Sequence, residues 1–100
     1  MEQYNKLVRD KIPEILDKKG ISYERRTASA EEYKEELIKK LEEEVKEFGE
    51  ASDPEELADI LEVLEALKKL PEYEGIEELR LKKQKERGGF DNRILLKGEK

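Results

Sequence analysis

Leu41-Glu-Glu-Glu-Val-Lys-Glu-Phe-Gly-Glu-Ala-Ser-Asp-Pro-Glu-Glu-Leu-Ala-Asp-Ile60 decides the fold, because two amphipathic segments meet in it at a single short break. Ala51-Ser-Asp-Pro-Glu55 supplies that break, with Asp53 as a helix cap and Pro54 at the first helical position. Two helices joined so tightly must lie side by side and run antiparallel. Each also carries an acidic pair at i, i+3 spacing, Glu44 with Glu47 and Glu56 with Asp59, which puts two carboxylates on one helix face a turn apart. In an antiparallel hairpin the four converge near the closed end.

Helical phase separates these four from the many other acids of a chain that is 48% charged. At about 100° per residue, Leu37, Ile38, Leu41, Val45 and Phe48 read as the buried stripe of the first helix. Glu44 falls on its edge and Glu47 just beyond, while Glu42 and Glu43 point to solvent. In the second helix Leu57, Ile60, Leu61, Leu64 and Leu67 form the stripe, Glu56 projects beside it and Asp59 flanks the same edge. Glu62 and Glu65 lie further round. A carboxylate at a core boundary is costly unless paired, protonated or bound to a metal. Bland readings exist: Glu56 completes a capping box with Asp53, and Glu44 or Glu47 pairs with Lys40.

Outward from the hairpin, Asp10 is expected to cap a short helix that takes Pro13 in its first turn, includes Ile15 and Leu16, and stops at Gly20. Residues 21–27 read as extended. Ser29-Ala-Glu-Glu32 is a capping-box pattern that opens the first long helix, expected to run to about Glu50. The second ends before Pro71, and a loop over 71–75 leads to a basic helix over 76–87 with a weak apolar stripe at Ile76 and Leu79. Gly88-Gly89 ends it, and the Arg-Ile-Leu-Leu run before Lys97 reads as a short strand. The fold class is all-α, an antiparallel helical hairpin with flanking helices. A minor two-stranded pairing of residues 21–27 with 92–96 is compatible with it, although such a pair is marginal without helices behind it.

One hundred residues make a single domain, 1–100, with a modest core. Mean hydropathy of −0.99 and 35% hydrophobic residues make that core thin for a monomer, so a homodimer or homotetramer is expected. There is no long apolar run and no signal-peptide pattern at the start, which points to a cytoplasmic protein without a membrane partner. The chain has no cysteine and no histidine, removing thiolate chemistry, the usual general base and the usual zinc ligands. Any metal must be held by oxygen, which favours Mg²⁺, Mn²⁺ or Ca²⁺.

Charge is uneven along the chain. Residues 1–30 carry 7 basic and 5 acidic side chains, 31–78 carry 6 and 19, and 79–100 carry 8 and 3. An acidic metal site beside a basic tail suits a polyanion that also chelates metal, and a nucleoside triphosphate is the simplest. The net charge of −6 argues against a nucleic-acid polymer. For most of the charges the plainer account, a solubilising Glu/Lys surface, suffices.

Four segments together carry a resemblance that spans nearly the whole chain. They are Tyr4-Asn-Lys-Leu-Val-Arg-Asp-Lys-Ile-Pro-Glu-Ile-Leu16, Lys40-Leu-Glu-Glu-Glu-Val-Lys-Glu-Phe48, Glu55-Glu-Leu-Ala-Asp-Ile-Leu-Glu-Val63 and Lys85-Glu-Arg-Gly-Gly-Phe90. In this order they resemble the MazG-like all-α nucleoside triphosphate pyrophosphohydrolases, specifically small members like phosphoribosyl-ATP pyrophosphohydrolase. The acidic blocks are moderately specific; the first and last segments in combination are more so. The stretch 48–55 between the acidic pairs is shorter than in many members.

The resemblance implies that Glu44, Glu47, Glu56 and Asp59 ligate Mg²⁺, with Mn²⁺ as an alternative, and that Glu44 or Glu47 orients the attacking water. Glu43 is a substitute for Glu44 under a rotated helix, and Glu62 an outer ligand; phase favours Glu44. It also implies an enzyme that hydrolyses a nucleoside triphosphate to pyrophosphate and a monophosphate, chemistry that needs neither histidine nor cysteine. Asn5, Lys6, Arg9, Lys11, Lys82, Lys85 and Arg87 are the expected phosphate-binding residues, with Gly88-Gly89 allowing close backbone approach. Base specificity is not legible; Tyr33 and Phe90 are the best stacking candidates. House-cleaning hydrolysis of nucleotides is the leading expectation. Phosphoribosyl-ATP hydrolysis and a catalytically inactive helical interaction module are the alternatives.

Overall fold

A computed structural model of the chain describes residues 6–98. It is all-helical: α1 (Ile12–Lys18), α2 (Ala30–Ala51), α3 (Pro54–Lys68) and α4 (Ile76–Arg87), with a single 3₁₀ turn at Pro71–Tyr73. Among the described residues there is no strand, and α2 with α3 makes the only extensive helix–helix contact.

Local chemistry accounts for the limits of α2 and α3. The Ser29 hydroxyl accepts from the Glu32 backbone N–H, and the Glu32 carboxylate accepts from Ser29 N–H, so both halves of the box are made. At the other end Ser52 adopts the left-handed region, φ 53°, and its N–H closes on Phe48 O. Asp53 follows at once as the cap of α3, accepting from Glu56 N–H at 2.9 Å, and Pro54 takes the first turn. The connection is thus two residues long. Lys34, near the start of α2, lies 3.5 Å from Glu72, just past the end of α3, which fixes the antiparallel sense.

The packed face is rotated from the expected one. Leu37 is 3% exposed and Val63 8%, while Leu41 and Phe48 are half-buried, but Ile38 and Val45 are exposed. Glu44, not Val45, completes the inward row Leu37, Leu41, Glu44, Phe48. In α3 the inward row is Glu56, Ile60, Val63 and Leu67, and Leu57, Leu61 and Leu64 form an outward apolar stripe. Both helices are apolar on two adjacent faces, so hydropathy alone leaves the rotation undetermined, and the hairpin buries only one face of each.

Two further expectations fail. The residue at the cap of α1 is Lys11, with no side-chain cap, rather than Asp10: Pro13 at the second helical position sets the start one residue later. Residues 21–27 and 92–96 do not pair. Leu95 and Leu96 are 96% and 94% exposed, and 21–27 is exposed throughout, its side chains held locally instead, with Tyr23 Oη donating to Asp17 at 2.8 Å and Arg26 gripping Glu32 through both guanidinium nitrogens. Neither segment has a helix face behind it to offset the entropy of ordering a two-stranded ribbon.

Candidate metal centre

Three carboxylates from the two halves of the hairpin meet near its closed end. Glu44, Glu56 and Asp59 each offer one oxygen, and the three oxygens lie within 4.8 Å of one another. Glu44 is the deepest, 5% exposed, two turns on from Leu37 along the inward face of α2. Its Oε1 lies 3.4 Å from the Lys40 ammonium one turn earlier, and its Oε2 is buried with no hydrogen-bond partner. The Lys40 pairing weighed from sequence is therefore present, but it covers half of the carboxylate.

Glu56 stands at the first turn of α3. Its backbone N–H is taken by Asp53, yet its side chain leaves Oε2 buried and unpartnered, so only the first half of the Asp53 capping box is made. Burial, then the adjacent Glu47 carboxylate, then the negative charge of Asp53 and Glu44, push the Glu56 carboxyl up to about 7. Asp59 follows one turn later, half-buried. Glu47 is exposed and is not one of the three converging acids; it adjoins them through Glu56. Buried, unpaired carboxylate oxygens are expensive in water-poor surroundings. Two of them fall in one trio, an all-oxygen set that could hold a metal ion.

No family model, curated protein or solved structure matches this chain. The site is read from its own chemistry.

The expected phosphate-binding residues divide into two groups. Asn5 lies outside the described residues. Lys6 Nζ is 3.7 Å from Glu43, Arg9 Nη2 donates to Asp59 Oδ1 at 2.7 Å, and Lys11 is exposed at the cap of α1, so the segment before α1 runs beside the acids. Lys82, Lys85 and Arg87 lie on the exposed α4, whose start is tied to the end of α3 by Lys68 and Glu77 at 3.8 Å. That anchor is about 13 Å along α3 from Asp59, and among the described residues no ion pair joins these three to the acids. Gly88, at φ 83°, ends α4 with its N–H on Gln84 O.

Among the outlying candidates, Glu43 is held by Lys6 and Lys40 and stands off the trio, and Glu62 is exposed. Tyr33 lines an open cleft of ≈ 550 Å³ with Lys34, Leu70 and Glu72, at the opposite end of the hairpin. Phe90 is 97% exposed. What sequence reasoning missed is the depth of Glu44 and the contact of Arg9 with Asp59. The first was hidden by Val45 next to it, a better core residue on hydropathy; the second joins positions fifty residues apart and has no local signal.

Proposed function

We propose that this protein is a Mg²⁺-dependent nucleoside triphosphate pyrophosphohydrolase, acting on a phosphoric anhydride to release pyrophosphate and a nucleoside monophosphate. The observation that carries the reading is the convergence of Glu44, Glu56 and Asp59, of which Glu44 and Glu56 each keep a buried oxygen without a hydrogen-bond partner. The donors are all carboxylate oxygens, which suits a hard cation. Glu44, Glu56 and Asp59 would hold Mg²⁺, or Mn²⁺ in its place, with Glu47 at the margin. When bound, the ion would supply charge neutralisation at phosphate oxygens and a lowered pKa for water.

The chain's own residues supply the rest. Glu47, exposed beside Glu56, would take a proton from water at the edge of the trio, a task for which a carboxylate suffices when histidine is absent. Lys6 and Arg9 approach the same edge and meet the phosphates there, arginine by two parallel hydrogen bonds. Lys11, Lys82, Lys85 and Arg87 are the further phosphate ligands, and Asn5 belongs with them. The resemblance carried by the four motif segments supports this assignment, as does the spacing of the acids.

The same reading takes the protein as a cytoplasmic homodimer or homotetramer. No helix among the described residues is long and apolar enough to cross a membrane. A Cα radius of gyration of 17.8 Å, against about 13 Å for a compact chain of this length, leaves Ile38, Val45, Leu57, Leu61 and Leu64 uncovered. A second copy that covers them closes the core.

Pyrophosphate release from a panel of NTPs, dNTPs and phosphoribosyl-ATP, with Mg²⁺ and with EDTA, tests the function. Metal-dependent release is expected, lost in Glu47→Gln and Asp59→Asn with helical content intact. Preference for phosphoribosyl-ATP would move the protein to histidine biosynthesis. Silence from folded protein across the panel would leave a helical interaction module.

A further inference from the structure

The segment before α1 is strapped across both arms of the hairpin. Lys6 reaches Glu43 on α2 at 3.7 Å, and Arg9 reaches Asp59 on α3 at 2.7 Å. Within the trio the acids are thus neutralised unequally. Glu44 has Lys40 on one oxygen, Glu56 Oε2 has no partner, and Asp59 has a guanidinium on the oxygen Oδ1.

A guanidinium and a divalent cation compete for that end of the cluster. The hydrogen bond occupies acceptor capacity of Asp59, and two positive centres a few ångströms apart repel. The pair is also built to open. The Arg9 side chain is 56% exposed and that of Asp59 40%, so Arg9 can leave into water with little desolvation to reverse, as for ion pairs of the weak, exposed kind.

We propose that Arg9 is a resident counter-ion of the acid trio, which a divalent cation displaces from Asp59 as it enters. This rests on the metal reading above. Arg9 opposes binding of the bare ion and favours binding of an ion that arrives with a triphosphate. Once released, the guanidinium remains tethered within reach of the site, and its planar fork of donors matches two phosphate oxygens. One side chain thereby couples metal entry to the presence of the anion. A residue that only bound phosphate would leave the affinity for the bare ion unchanged.

The test is titration of the full chain with Mn²⁺ alone, by calorimetry and by the electron paramagnetic resonance of free Mn²⁺, in wild type, Arg9→Ala and Lys11→Ala. Arg9→Ala is expected to bind Mn²⁺ about two- to five-fold more tightly, the scale of an exposed ion pair, and to bind Mn²⁺ with a non-hydrolysable triphosphate less tightly than wild type. The gain should shrink as salt is raised. Lys11→Ala removes the same charge from the same segment without the contact, and should bind Mn²⁺ alone as wild type does. Unchanged or weaker Mn²⁺ binding by Arg9→Ala overturns the proposal, as does an equal gain from Lys11→Ala. Mn²⁺ binding by neither wild type nor Arg9→Ala is a different failure, that of the metal reading itself.

Discussion

Lys40 and Glu44 are neighbours on one helix face, 3.4 Å apart, and the Glu44 carboxylate keeps its second oxygen buried and unpaired. Their relationship is lopsided, with the lysine 23% exposed at its side chain and the glutamate 7%. Lys40→Ala should therefore destabilise the metal-free protein by about 2 kcal/mol, the order of cost of leaving a buried polar group without its partner. Urea unfolding in EDTA measures the loss. The gap to wild type should narrow in excess Mg²⁺, because a cation on Glu44 takes over the neutralising role. Equal gaps in EDTA and Mg²⁺ would separate Glu44 from metal binding.

Glu56 gives the site a pH signature. Its carboxyl is pushed up to about 7 from an ordinary 4.5, chiefly by burial and then by Glu47, so in the folded state it holds a proton that the unfolded chain has lost. Stability of the metal-free protein should consequently fall as pH rises from 4.5 through 7. Proton and cation compete for the same oxygens. The rise in Tm on adding Mg²⁺ should be larger at pH 8 than at pH 5, and Glu56→Gln should flatten the metal-free profile over that window. A Tm that climbs between pH 5 and 8 in EDTA would contradict the packing of Glu56 against the other acids.

At the opposite end of α2 the sign reverses. Arg26 hydrogen bonds, then the Ser29 backbone N–H, lower the Glu32 carboxyl to about 2. Its contribution is complete above pH 4.5 and is lost as pH falls from there toward 2. Arg26→Ala should make the decline of Tm over that acid range shallower while leaving the slope between pH 5 and 8 as it was.

Leu37 and Val45 distinguish the observed rotation of α2 from the one hydropathy suggests. Leu37→Ala removes a side chain that is 3% exposed and should cost about 3 kcal/mol. Val45→Ala acts on a residue that is 50% exposed and should cost under about 0.5 kcal/mol in a monomer, as surface changes do. If copies associate through that face, Val45→Asp should lower the mass seen by light scattering while sparing helical content by circular dichroism.

Capping residues made the hairpin readable: Ser29 with Glu32, and Asp53 with Pro54, have one physical use each, and both are found where expected. Rotation about the helix axis was not readable in the same way. Ile38 and Val45 compete with Leu37 and Glu44 for the inward face, and an isolated sequence offers no charge or turn residue to decide between them. Asp10 lost its place as a cap to a one-residue shift set by Pro13. The strand expected over 92–96 failed because apolar residues in an extended run need a partner, and the partner expected at 21–27 is engaged with Asp17 and Glu32. The convergence of Glu44, Glu56 and Asp59 followed from the turn, since a two-residue connection sets them opposite one another.

The shortness of that connection also governs which part of the hairpin can breathe. Ser52 and Asp53 act as a pivot, with Glu44 about 12 Å from it along α2 and Leu37 about 22 Å. A 10° splay of the arms would open roughly 4 Å at Leu37 but only about 2 Å at Glu44. Thermal opening therefore concentrates at the far end, around Lys34 and Glu72. Amide hydrogens there should exchange first, with the acids still in register after the remote turns have begun to fray.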